Sequence, residues 1–117
     1  SLSSITYPSF EIIVVDNDSQ DGSANSIRKK YPLVKLVESK ENLGYAGGNN
    51  LGLKYCDAEY ILILNNDTKV EKNFLEPLIK DMLSDRRLGV VQSKIKVMDN
   101  PKLLDSVVSY QTLTGFL

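Results

Sequence analysis

Histidine is absent from the 117 residues and cysteine occurs once. The first absence removes an imidazole base from this stretch and, with it, every zinc site of Cys/His spacing. The second excludes an internal disulfide and suits an intracellular, reducing compartment. Cys56 falls at helical spacing on an apolar side, where a small core residue is the expected role. Charge of one sign is missing too: 14 Lys and Arg stand against 15 Asp and Glu, a net charge of −1. That balance offers no footprint for nucleic acid, which needs a clustered basic surface. The densest basic cluster, Arg28-Lys29-Lys30, reads as the solvated face of a helix. Apolar runs fall far short of the roughly 18–20 residues that span a bilayer, and no signal peptide is visible. The expected location is the cytoplasm or the cytoplasmic face of a membrane. An initial methionine is also lacking, so a trimmed chain is expected, with Ser1-Leu2 a remnant of its preparation.

The length suits one small domain over residues 1–117, and the 42% hydrophobic share is enough for a core. Residues 11–16 (EIIVVD) and 59–64 (EYILIL) are short aliphatic runs with little alternation. That pattern predicts strands covered on both faces of a parallel sheet. Residues 34–38 (VKLVE) alternate, as a half-covered or edge strand does, and residues 88–98 form a fourth, longer candidate. Between them, Ala24, Ile27 and Tyr31 line a helix that Pro32 stops. Ala46, Asn50, Leu53 and Cys56 mark a second helix. Leu75, Leu78, Ile79, Met82 and Leu83 mark a third over residues 73–85, with Pro77 tolerable only near its first turn. Strands alternating with helices predict a three-layer α/β domain with a mainly parallel sheet. Residues 100–117 show no clear period and carry no assignment.

Ligands of open α/β sheets bind at the carboxyl ends of the strands, so the polar residues following each strand carry the chemistry. Residues 16–23 (DNDSQDGS) offer short oxygen-bearing side chains able to hold a nucleoside. Asp16 is the functional candidate there; Ser19 or Asp21 is the expected helix N-cap. Residues 41–50 (ENLGYAGGNN) place Gly47 and Gly48 where a helix begins, and close packing and close ligand approach both explain them. No Gly-Lys-Ser/Thr follows, so this is not a Walker loop. Asn65-Asn66-Asp67, directly after the aliphatic run 59–64, could coordinate a hard divalent cation if a diphosphate supplied the remaining oxygens, or form a plain polar turn.

Together, TYPSFEIIVVDNDSQDGS, ENLGYAGGNNLGL and AEYILILNNDTKVEKNFLEPL resemble the inverting glycosyltransferases of family 2 over roughly residues 1–100. The likeness is greatest to the branch of rhamnosyl- and galactofuranosyl-type transferases. It implies a Rossmann-like GT-A fold and transfer of a sugar from a UDP- or dTDP-linked donor to a saccharide or lipid-linked acceptor hydroxyl. Asp16 matches the family's base-binding aspartate, with Asn17 beside it, and Asn42 and Gly44 match its Asn-x-Gly turn. Gly48 and Asn49 lie in the stretch where many relatives carry Ala-Arg-Asn. Asn65-Asn66-Asp67 aligns with the Asp-x-Asp motif, Asp67 reaching a Mn²⁺ or Mg²⁺ ion and Asn65 and Asn66 lying near the ribose and diphosphate. The resemblance puts the catalytic base beyond Leu117. It also puts a strand before Ser1, between residues 11–16 and 59–64 in the sheet. Unpaired strand edges, and homo-oligomers formed through them, are the expected consequence.

Two other readings fit parts of the pattern. A non-catalytic nucleotide-sugar binder needs the same donor site without turnover. A phosphoacceptor receiver module would use Asp16 in its acidic pair and Asp67 as acceptor, but gives the glycine-rich stretch no role.

Overall fold

The computed structural model describes residues 1–106, 111–112 and 115–116. It contains two compact units, Pro8–Lys69 and a second made of Ser1–Tyr7 with Val70–Leu117. The first unit holds every candidate site residue.

In that unit β1 (Ile13–Asp16) leads through α1 (Ser23–Lys30) into β2 (Lys35–Glu38), and α2 (Gly44–Leu53) follows. The strands pair in parallel, with Ile13 opposite Lys35 and Asp16 opposite Glu38. Backbone bonds from Lys35 N to Ile12 O (3.0 Å) and Ser39 N to Asp16 O (2.9 Å) lengthen the ladder at both ends. A parallel pair needs a crossover, and α1 supplies it. The helix begins after Gly22, whose φ of 82° no L side chain adopts easily. The cap position thus falls on Gly22 rather than on Ser19 or Asp21. Asp21 acts from one residue earlier, its Oδ1 accepting the Ser23 N–H at 2.9 Å and the Ser23 hydroxyl. Pro32 follows the last turn, as expected, and Arg28, Lys29 and Lys30 stand in that turn, where cations complement the helix dipole. Arg28 also bridges to Glu38 on β2 at 2.5 Å.

The α2 helix lies against β1 through its backbone, because its two buried residues are Gly48 and Gly52. Val37 is the one buried hydrophobic side chain among the described residues. Cys56 lies past the end of α2, half-buried, with Sγ 3.5 Å from Gly52 O.

In the second unit α3 (Leu75–Ser84) carries the expected stripe, with Pro77 in its first turn, although Leu83 is exposed. Thr6 ties the amino-terminal residues to the start of this helix: its N–H donates to Lys72 O at 2.8 Å and its hydroxyl to Glu76 Oε1 at 2.6 Å. The fourth predicted strand shrinks to β3 (Ile95–Val97), which pairs antiparallel with β4 (Asn100–Ser106), inside the stretch that shows no period in the sequence. Short β5 (Gln111–Thr112) and β6 (Gly115–Phe116) form another antiparallel pair.

The α/β class and the parallel βαβ unit are those the periodicity predicts. Residues 59–64 depart from it: they form no strand, and Ile61, Leu62, Ile63 and Leu64 are exposed. A strand exists only through a ladder with a neighbour. β1 is laddered on one edge alone, to β2, and no described strand lies beside residues 59–64.

Candidate functional site

The carboxyl ends of β1 and β2 open onto a cleft of 350 Å³, lined by Asp16, Ser19, Gln20, Asn25, Glu38 and Ser39 among others. A second hollow of 290 Å³ lies at the amino ends and is lined mostly by apolar side chains, including Phe10, Ile12, Leu33 and Val34. The polar cleft is the one at the position where α/β sheets bind ligands.

Asp16 ends β1 and is the buried charged residue of the unit, 8% exposed. Its Oδ2 accepts the Ser19 N–H at 3.3 Å, which pins the following turn. Its Oδ1 has no partner among the described residues. Asp18, at φ 66°, folds the chain back over this point, and Gln20 Nε2 donates to Asp18 Oδ1 at 3.0 Å. Three carboxylates (Asp16, Asp18, Glu38) and no Lys or Arg side chain line the cleft. Arg28 pairs with Glu38, which leaves Asp16 and Asp18 as the unpaired charges, and these suit the donor-rich end of a nucleotide, its ring N–H or ribose hydroxyls, better than a diphosphate.

Asn17 turns from the cleft to the loop before α2. Its Oδ1 accepts the Leu43 N–H at 2.9 Å. Its Nδ2 donates to Asn42 Oδ1 at 3.1 Å and to Gly44 O at 3.1 Å. Asn42 Oδ1 also accepts the Gly44 N–H at 2.9 Å. Gly44, at φ 67°, lets the chain enter α2 from this turn. Buried Gly48 lies under Asn17: a Cβ there would sit 3.5 Å from Asn17 Nδ2. That is an ordinary contact distance, so packing against Asn17 does not by itself demand glycine at position 48. Asn49 lies half-buried on α2.

Asn65, Asn66 and Asp67 are exposed in a turn, with the Thr68 hydroxyl donating to Asn65 O at 2.7 Å. They do not line the cleft. No group of three or more acidic, His or Cys side chains able to hold a metal occurs among the described residues. The structure thus links Asn17, Asn42, Gly44 and Gly48 directly beside Asp16, while Asn65–Asp67 form a separate turn in the same unit and line no part of the cleft. Residues beyond those predicted also shape the site. Ser39 lines the cleft, its Oγ donating to Glu41 O at 2.7 Å, and Gly52 seats α2 on β1. The small residues at four-residue spacing, Gly48 and Gly52, were the sequence signal for that seat.

No helix among the described residues is long and apolar enough to cross a membrane. No solved structure matches the chain. Among curated proteins it is similar to the poly-beta-1,6-N-acetyl-D-glucosamine synthase of Staphylococcus epidermidis, 29% identical over 119 residues. That match covers 98% of this chain and 29% of the relative. The synthase of the same name from Staphylococcus aureus (strain COL) is 26% identical over 116 residues, 95% of this chain and 28% of the relative. The chain therefore spans under a third of the length of these relatives. The model of glycosyl transferase family 2 matches residues 1–110, which includes the cleft, the Asn17 turn and the Asn65–Asp67 segment, and the chain belongs to that family.

Proposed function

We propose that residues 1–117 form the donor-nucleotide part of a glycosyltransferase that moves a sugar from a UDP- or dTDP-linked donor to an acceptor hydroxyl with inversion. The observation that carries this reading is the half-engaged, buried carboxylate of Asp16 at the floor of an acidic cleft beyond the parallel strands. Asp16 would accept a hydrogen bond from the base or ribose. The acidic lining keeps the diphosphate outside, towards a cation-assisted position.

Asn65, Asn66 and Asp67 fit a divalent cation in kind. They offer hard oxygen donors, and the Asp67 carboxylate makes no hydrogen bond or ion pair among the described residues. In number they fall short, so donor oxygens must complete the shell. Asp67 would hold the ion, with Asn65 and Asn66 beside it. When bound, a Mn²⁺ or Mg²⁺ ion supplies positive charge to the departing diphosphate. In the transfer, the acceptor oxygen bonds to the anomeric carbon as the bond from that carbon to the diphosphate breaks on the opposite face. The acceptor proton passes to a carboxylate base that we assign beyond Leu117. The relatives are named as synthases of an N-acetylglucosamine polymer, so a growing saccharide is the acceptor class we favour.

Calorimetric titration with UDP and dTDP, with and without Mn²⁺ or Mg²⁺, tests this reading. We expect cation-dependent diphosphate binding that disappears in Asp67→Ala, and uridine binding that disappears in Asp16→Asn. Binding that neither substitution alters, or no nucleotide binding under any condition, would overturn it.

A further inference from the structure

Asparagine can present either end of its carboxamide to a ligand, and an amide left free turns to suit whatever arrives. In the turn beside the cleft that freedom is gone. Leu43 N–H and Gly44 N–H are backbone donors, so the atoms they meet must be oxygens. These contacts fix Asn17 Oδ1 at 2.9 Å from Leu43 N and Asn42 Oδ1 at 2.9 Å from Gly44 N. Asn17 Nδ2 then necessarily faces the Asn42 oxygen and the Gly44 carbonyl, both at 3.1 Å. Asn42 is exposed, and its Nδ2 has no partner among the described residues. Buried Gly48 closes the space behind Asn17, and Asn17 itself lies between the cleft residues Asp16 and Asp18.

We propose that Asn17 is a positioning residue that locks the Asn42 carboxamide with its nitrogen outward, so that Asn42 meets the nucleotide as a hydrogen-bond donor to an oxygen acceptor. Asn17 then touches no ligand, and its effect passes entirely through Asn42. The acceptor chemistry is shared by a nucleobase carbonyl, a ribose oxygen and a phosphate oxygen. The inference rests on the donor-nucleotide reading given above.

Two nearly isosteric variants test it. Asn42→Asp keeps an oxygen for Gly44 N–H and for Asn17 Nδ2 but presents oxygen outward. We expect affinity for UDP to fall about tenfold, as for one lost hydrogen bond, with the thermal midpoint close to wild type. Asn17→Asp places an oxygen against Asn42 Oδ1 and drives the Asn42 amide to turn its nitrogen inward. It should weaken binding at least as much and speed hydrogen exchange at Gly44 N–H. Titration with uridine and with pyrophosphate locates the acceptor: a loss seen with uridine assigns it to the nucleoside, a loss seen with pyrophosphate alone to phosphate. Wild-type affinity in Asn42→Asp overturns the inference while leaving the donor site standing. A wild-type chain that binds none of the three probes removes the donor-site reading, and the role of Asn17 with it.

Discussion

Placing a methyl group at Gly52 tests how α2 is seated. An ideal Cβ there would lie 2.9 Å from Val15 Cγ2, closer than real carbon contacts come. Two effects oppose each other in Gly52→Ala. Replacing glycine by alanine in a helix interior contributes about 1 kcal/mol of stability. Forcing an extra methyl into a packed interface costs about 1–3 kcal/mol. Val15 sits on β1 with a stiff, β-branched χ1, so it cannot swing away, and the upper half of that range applies. The net expectation is a loss of about 1 kcal/mol, or roughly 4–8 °C in Tm for a unit of this size. Gly48→Ala is the control, because its nearest neighbour would be Asn17 Nδ2 at an ordinary 3.5 Å. That variant should keep most of the helix gain and melt at or above wild type. Thermal and urea melts followed by far-UV circular dichroism decide between them. In a Val15→Ala background the sign at Gly52 should reverse, since the opposing methyl is gone. If Gly52→Ala melted higher than wild type, α2 would not be seated on β1 as described.

Two further outcomes follow from the loops. Gly44 has φ 67°, and a Cβ at this position would meet nothing within 4 Å. Gly44→Ala should therefore destabilise by about 1–2 kcal/mol through backbone strain alone, and Gly44→Asn by less, as read from urea midpoints. Equal losses for the two would refute the strain account. The hydroxyl and then the amide of Ser23 hold the Asp21 carboxyl below the ordinary aspartate value. Because the folded pKa is depressed, this support of α1 is present above the unfolded value of about 3.9 and is lost as pH falls through the lower folded one. An NMR titration of Asp21 should show its pKa rising in Ser23→Ala, and an unchanged value would remove Ser23 as the cause.

The βαβ unit was legible because each signal in it is local. EIIVVD and VKLVE sit either side of a helical stripe closed by Pro32, and the structure pairs them in parallel. Asp16 was legible for the same reason, as the polar residue closing an apolar strand. Residues 59–64 mislead because an aliphatic run announces burial but says nothing about whether a neighbouring strand exists to ladder with it. Strand β4 is hidden because its adjacent Leu103 and Leu104 break the alternation that marks a strand, and its pairing with β3 carries register shifts. In the site, Asn17 and Asn42 were visible as polar loop residues, but not that each occupies the other. That fact depends on two turns 25 residues apart in sequence. Gly22 displaced Asp21 as the cap because a positive φ, invisible in the sequence, shifted the helix start by one residue.

The exposed run Ile61–Leu64 has a consequence for the behaviour of the chain in solution. Its backbone N–H and C=O groups belong to no described ladder, and its side chains are aliphatic and uncharged. Any extended segment brought alongside can form a ladder with it and bury the aliphatic faces in the same step. Glu59 and Asp67 are the nearest charges at its two ends, both negative, so encounters between copies begin with repulsion. Salt at about 0.15 M screens that repulsion beyond roughly 8 Å. Protein concentration and ionic strength thus govern how long the chain stays dispersed.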